Sequence, residues 1–218
     1  MTSAEQRTRY AELRETTRSD IVAAADRFLR GRPFRDLSVE VLITQSGFTR
    51  TAFYRHFDDT TDLVLALMAD MGGELYGIAE RWLQDAQTEQ AAGLGFAHAA
   101  RIGLRTVVDF FSRNGPLIRA FGEGATTDER IERAYNGFLD RFTELTAFGL
   151  DMMVREGRID PLDPWPVARA LNLMNERYLV GEFGRPSQGN PELALKTLET
   201  VWLRSLAPRP AARPGPRA

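Results

Sequence analysis

Phe48-Thr49-Arg50-Thr51-Ala52-Phe53-Tyr54-Arg55-His56-Phe57 (FTRTAFYRHF) crowds rings, two arginines and a histidine into ten residues. At about 100° per residue on a helix, Arg50, Thr51, Tyr54 and Arg55 share one arc, while Ala52, Phe53 and Phe57 share the other. The aromatic arc can pack inward. The outer arc then offers two guanidinium forks, a hydroxyl and a phenol from one short element. Arginine can grip guanine O6 and N7 in the major groove, and Tyr and Thr hydroxyls bond phosphate oxygens. Thr49 suits the cap of that helix, and His56 sits nearer its buried edge, where a structural role and a DNA contact are both open.

The residues around this stretch supply a frame. Ser38 caps a helix that carries Val39, Leu42 and Ile43 inward, with Glu40 near its positive end, and Gly47 stops it. Before it, Ile21, Ala24, Ala25, Phe28 and Leu29 mark a first helix opened by Ser19 or Asp20 and closed at Arg30-Gly31-Arg32-Pro33. Two short helices about a three- or four-residue turn have helix-turn-helix geometry. After them Asp58-Asp59-Thr60-Thr61-Asp62 caps a long helix expected from about Leu63. No Gly/Ser/Pro linker separates this front module from the rest, so rigid coupling is expected.

Helical spacing continues almost throughout, and no period-2 strand is evident, which predicts an all-α chain. Glycines and prolines at Gly93-Gly95, Asn114-Gly115-Pro116, Gly122-Gly124, Gly157 to Pro166 and Gly184 to Pro191 read as breaks, which would divide the body into about five more helices. The organisation expected is an N-terminal arm at 1–17, a helix-turn-helix module at 18–62, a helical body at 63–206 and a disordered proline-rich tail at 207–218.

Charge follows that division. Residues 1–57 hold ten arginines against seven acids, and residues 58–206 hold fifteen Lys+Arg against twenty-three acids, within an overall net charge of −2. A basic front on an acidic body suits a protein whose front alone meets a polyanion. The 218-residue chain has no cysteine, which excludes disulfides and thiolate chemistry, and it has only two histidines, His56 and His98. It shows no HExxH, no ExxH pair and no phosphate-binding glycine loop, so catalysis is not expected and no cofactor or metal is implied. No apolar signal core opens the chain and no run approaches the roughly 20 residues that span a bilayer, so a cytoplasmic protein without membrane association is expected.

Three apolar stripes mark the body. Leu104, Val107, Val108 and Phe111 make one, with Ala99, Ala100 and Gly103 ahead of it. Tyr135, Phe138, Leu139, Phe142, Leu145 and Thr146 make the second. Ala168, Leu171, Asn172, Asn175 and Leu179 make the third, with two amides at its centre. A buried amide must find partners or cost about 1–3 kcal/mol. Such groups in an aromatic surround either orient a small ligand or bond across a helix interface. The last helix, with Leu195, Leu198, Val201, Trp202, Leu203 and Leu206, is apolar on more than one side, as a helix shared with a partner subunit would be.

At the Phe28-Leu29 helix end, Phe34, Ser38-Val39, Gly47, Thr49-Arg50, Phe53-Tyr54, His56-Phe57 and Leu63, the chain resembles the TetR family of bacterial transcriptional regulators. That resemblance implies a dimer on a palindromic operator, with Thr49, Arg50, Thr51, Tyr54, Arg55 and His56 at the DNA. The family usually has a lysine where Thr60 stands, so the phosphate grip here would come from Arg50, Arg55 or the arm (Arg7, Arg9, Arg14). The segment Ala170 to Phe183 (ALNLMNERYLVGEF) and Val201-Trp202-Leu203 look like the EthR subgroup of that family. This implies a hydrophobic effector channel lined by Leu104, Val107, Phe111, Tyr135, Leu139, Phe142, Thr146 and Leu179. Asn172 and Asn175 would be its polar handles, and Trp202 would close one end. The function implied is a repressor released by a hydrophobic small molecule; the alternative is a dimeric helical binding protein whose front module has lost DNA.

Overall fold

The computed structural model describes the backbone of residues 3–91, 96–185 and 189–206, and side chains at 17–73, 76–77, 97–185 and 189–206. The side chains of the arm arginines Arg7, Arg9 and Arg14, the Gly93-Gly95 break and the 207–218 tail lie outside these descriptions. All regular structure among the described residues is helical: α1 (Ser3–Gly31), a single 3-10 turn (Phe34–Asp36), α2 (Val39–Ser46), α3 (Arg50–Tyr54), α4 (Thr60–Ala91), α5 (Phe96–Ala125), α6 (Glu129–Arg155), α7 (Pro164–Phe183) and α8 (Pro191–Leu206).

The front module forms for local reasons. Ser38 Oγ accepts the Val41 N–H at 3.2 Å, and Gly47, at φ 73°, closes α2 with its N–H on the Ile43 carbonyl. A left-handed φ there would strain any residue with a Cβ. Thr49 Oγ1 then accepts the Ala52 N–H at 3.1 Å and opens α3. Phe53 and Phe57, tilted together at 5.8 Å, bury themselves in one core with Ile21, Phe28, Leu29, Leu42, Leu63 and Val64.

Helix boundaries depart from the sequence expectation in three places. α1 begins at Ser3, ahead of the expected Ser19–Asp20 start; residues 4–15 are mostly Ala, Glu, Gln, Arg and Leu, which lose little on helix formation. α4 begins at Thr60, because Asp59 Oδ1 accepts the Asp62 N–H at 2.8 Å and caps it. The largest difference concerns Asn114-Gly115-Pro116 and Gly122-Gly124, expected as breaks: both lie inside a continuous α5, so the helix count is one lower than expected.

Packing explains that continuity. α5 is the central strut and meets α1, α4, α6, α7 and α8, with Phe110, Leu117, Ile118, Ala120 and Phe121 fully enclosed. A Cβ on Gly115 would stand 2.4 Å from the Phe183 carbonyl oxygen, and one on Gly124 would stand 3.0 Å from the Phe34 ring. These glycines let α7 and the 3-10 turn approach. Asn114 is buried, and its Oδ1 accepts from Arg30 Nη2 at 3.0 Å.

The front module is tied to the body by polar contacts as well. Arg30 Nη1 donates to the Arg113 carbonyl at 2.6 Å, and the Phe34 N–H donates to Glu123 Oε2 at 3.0 Å. At the start of α4, Thr61 Oγ1 donates to Asp128 Oδ2 at 2.7 Å, and Arg130 Nη2 donates to Asp59 Oδ2 at 2.6 Å. Asp59 of the loop before α4 is thus engaged both in capping that helix and in holding the tip of α6.

Candidate DNA face and ligand cavity

The two ends of the molecule carry distinct chemistry. On α3 the outer arc is open: Thr49, Arg50, Thr51 and Arg55 are exposed, and Tyr54, although aromatic, is 47% exposed. Phe53 beneath them is 1% exposed and fixes the helix's rotation. The Phe53 and Tyr54 rings meet edge to face at 5.3 Å, which steadies the phenol. Arg50 stacks over Tyr54 at 5.8 Å and pairs with Glu40 at 2.9 Å. His56 is half-buried, its ring tilted against Phe57 at 6.5 Å, so it stands at the edge of the arc rather than on it. Arg18 on α1 lies over the Phe57 ring at 5.5 Å.

In the body, Leu104 and Val107 from α5, Phe142 and Thr146 from α6, Asn172 and Asn175 from α7, and Trp202 from α8 line one cavity. Ala100, Gly103, Thr106 and Leu145 complete it. Of these, Ala100, Gly103 and Leu145 belong to the stripes seen in the sequence; Thr106 lies off them, with only its helical offset from Gly103 and Val107 as a signal. The enclosed space is about 50 Å³. That admits a water or two, whereas ligand sites for drug-sized molecules run to roughly 300–1,000 Å³.

The two central amides are not equivalent. Asn172 Nδ2 donates to Thr146 Oγ1 at 3.1 Å, and that hydroxyl spends its own proton on the Phe142 carbonyl at 3.0 Å. Asn175 Oδ1 accepts the Trp202 indole N–H at 3.2 Å. Indole is only a donor, so this contact fixes which way the Asn175 amide is turned. Among the described residues Asn175 Nδ2 donates to nothing, although the residue is 2% exposed. No fully enclosed side-chain nitrogen or oxygen there lacks a partner. The Asn175 NH₂ group therefore opens on the cavity that the residue lines.

Four residues expected in the channel stand elsewhere. Phe111 and Leu179 are buried in the core beside the cavity without lining it. Leu139 is half-buried on α6, also outside the lining. Tyr135 is turned to α7, where its hydroxyl donates to Glu176 Oε1 at 2.7 Å; burial, then the Glu176 carboxylate, pushes its pKa up. It opens on a groove of about 670 Å³ shared with Phe34, Ile118, Arg119 and Val180. The stripe of α6 thus divides, with Phe142 and Thr146 facing the cavity and Tyr135 facing the groove.

A short helix-turn-helix in front of a helical body that encloses an apolar, amide-bearing cavity defines a class: one-component DNA-binding regulators. Residues 21–67 match the family described as bacterial regulatory proteins, tetR family, and residues 100–207 match the C-terminal domain of the transcriptional regulator EthR. The chain belongs to the TetR family, and its body is EthR-like. It is 28% identical over 188 residues to the HTH-type transcriptional regulator EthR of Mycobacterium tuberculosis, covering 85% of each chain. Its Mycolicibacterium smegmatis counterpart is 26% identical over 194 residues, covering 85% of this chain and 84% of that one. Among solved structures, AibR in complex with isovaleryl coenzyme A and operator DNA shares the fold: TM-score 0.66 at 16% identity, covering 85% of this chain and 97% of that one. No helix among the described residues is long and apolar enough to cross a membrane.

Proposed function

We propose that this DNA-binding regulator acts as a repressor: a homodimer that grips a palindromic operator through α3 and lets go when an apolar small molecule enters the α5–α8 cavity. The observation that carries the reading is the open arc of Arg50, Thr51, Tyr54 and Arg55 on a helix whose other side is locked by Phe53. Thr49 at the cap and His56 at the edge complete the surface. AibR, solved with both a ligand and operator DNA, supports a fold that serves both partners.

The dimer would form through α7 and α8. Leu173 and Leu193 are 41% and 60% exposed there, and Gly181, in the last turn of α7, is exposed with no atom of the described residues within reach of an added Cβ. A glycine within a helix costs up to about 1 kcal/mol relative to alanine, less near the end, and no contact among the described residues requires it. A partner helix approaching closely would. Two recognition helices then have to match major grooves about 34 Å apart.

The effector acts through volume. A cavity of about 50 Å³ has to expand several-fold to admit a lipophilic molecule, so α5, α6, α7 and α8 move apart on binding. A ligand that fits only the expanded body shifts the population away from the operator-binding spacing. Inside, the Asn175 NH₂ selects a ligand with a hydrogen-bond acceptor such as a carbonyl.

Selection of binding sites from genomic DNA, repeated with lipophilic carbonyl compounds, tests this reading. Enrichment of a palindrome that such a compound abolishes is the expected result. The Arg50→Ala/Arg55→Ala protein should lose binding and show a flatter salt dependence. Equal affinity and an unchanged slope would remove α3 from the DNA face. Failure to enrich any palindrome would favour a dimeric binding protein that no longer holds DNA.

A further inference from the structure

Glu40 is the only carboxylate between Leu37 and Phe57. It stands in the first turn of α2, where the helix dipole welcomes an anion. Yet its side chain leaves that position and crosses the turn, placing Oε1 2.9 Å from Arg50 Nη2. The Tyr54 ring lies on the same guanidinium, 5.8 Å from its Cζ. Arg50 is thereby bracketed by a carboxylate from α2 and an aromatic face from α3, while its side chain remains 65% exposed. A carboxylate on the surface that meets a polyanion repels it and weakens attraction to any duplex.

We propose that Glu40 is a positioning residue for base reading: it holds the Arg50 fork in a fixed plane and trades general DNA affinity for discrimination at a guanine. This rests on the DNA face assigned to α3 above. Bidentate recognition of guanine O6 and N7 depends on the orientation of the guanidinium plane, whereas a phosphate accepts a cation from many directions. A free arginine loses its rotamer freedom on binding and can settle on the nearest phosphate. A buttressed arginine has lost much of that freedom beforehand and is penalised when the base in front of it is wrong. The Glu40 carboxylate, 63% exposed itself, adds little to the stability of the free protein.

The test uses the full chain and the operator enriched by the wild-type protein. Affinity is measured for that operator, for operators altered one base pair at a time, and for a random duplex of equal length, across a salt series. Glu40→Ala should bind the random duplex severalfold more tightly, while its operator-to-random ratio falls by about 2- to 5-fold. The loss should concentrate at one G·C pair per half-site. Glu40→Gln, which keeps an acceptor oxygen without the charge, should recover part of the ratio, with the melting temperature unchanged in both variants. In an Arg50→Ala background, adding Glu40→Ala should cause no further fall. A ratio that stays level or rises in Glu40→Ala, or that falls equally without Arg50, overturns the positioning role. Arg50→Ala alone leaving operator binding intact overturns the DNA face itself, and that outcome is read without altering Glu40.

Discussion

Asn172 and Asn175 commit their amides differently. Asn172 donates its NH₂ to the Thr146 hydroxyl, a contact that stiffens the α6–α7 packing. Asn175 uses its oxygen on Trp202 and keeps its NH₂ for the cavity. Asn175→Ala should therefore weaken a carbonyl effector by about 3- to 10-fold, the net worth of one neutral hydrogen bond. Asn172→Ala should act chiefly on stability. Titration calorimetry on both variants checks the order, and equal losses of affinity would show that the two amides share the ligand. Both asparagines are legible in the sequence as polar interruptions of an apolar stripe. Their difference is not, since it depends on one residue of α8 and one of α6 reaching the same face of α7.

At the scale of single helices, α5 shows how glycine and proline mislead. Asn114-Gly115-Pro116 carries the residues that end helices when only local preference acts, and here tertiary packing overrides it. Gly115 brings α5 against the α7 backbone at Phe183, and Asn114 receives Arg30 from α1. Gly115→Ala should destabilise the protein by about 1–3 kcal/mol, because its Cβ would meet a backbone carbonyl that cannot rotate away. Gly181→Ala, whose Cβ would meet nothing among the described residues, should spare or improve the monomer's stability and weaken subunit association instead. Urea unfolding and sedimentation equilibrium on the two variants separate these effects. Loss of stability in both, with association intact, would argue against α7 as a dimer surface. The front helices were the most legible part of the chain, since Ser38, Gly47 and Thr49 act on their immediate neighbours.

Across the whole molecule, the tip of α6 is joined to the start of α4 by polar contacts, and the proposed effector response would have to pass along such a link. Phe142 and Thr146 line the cavity on α6, whose tip holds Asp59 and Thr61 through Arg130 and Asp128. Under the proposed function, a ligand that displaced α6 would pull on the start of α4, which follows α3 in the chain. Thr61→Val with Arg130→Ala should leave effector binding and operator binding nearly intact but reduce the effector's influence on operator affinity. Typical coupling of this kind is about 1–3 kcal/mol, or 5- to 150-fold, and most of it should vanish in the double variant. Operator titrations with and without effector measure it, and unchanged coupling would place the route elsewhere. The Asp128 carboxyl is held below its usual range by the Thr61 hydroxyl and then by backbone N–H groups. For Asp59, desolvation opposes ionisation, but the Asp62 N–H and Arg130 outweigh it and lower its pKa too. Lowered acids contribute fully above their ordinary pKa of 3.8 and lose that contribution only as pH falls through the folded value. Coupling should thus be level around neutrality.

The sequence alone determined the all-helical class, the helix-turn-helix with its outward Arg50, Tyr54 and Arg55, and a body whose apolar stripes carry two amides. Each of those signals is local: a cap three residues from its target, a glycine at positive φ, or a period of 3.6. Tertiary structure decided that α5 runs unbroken, that Asp59 holds α6, and that Tyr135 turns to Glu176 and away from the cavity. Those outcomes depend on which helix lies opposite, and a helical period fixes a residue's face without naming its neighbour.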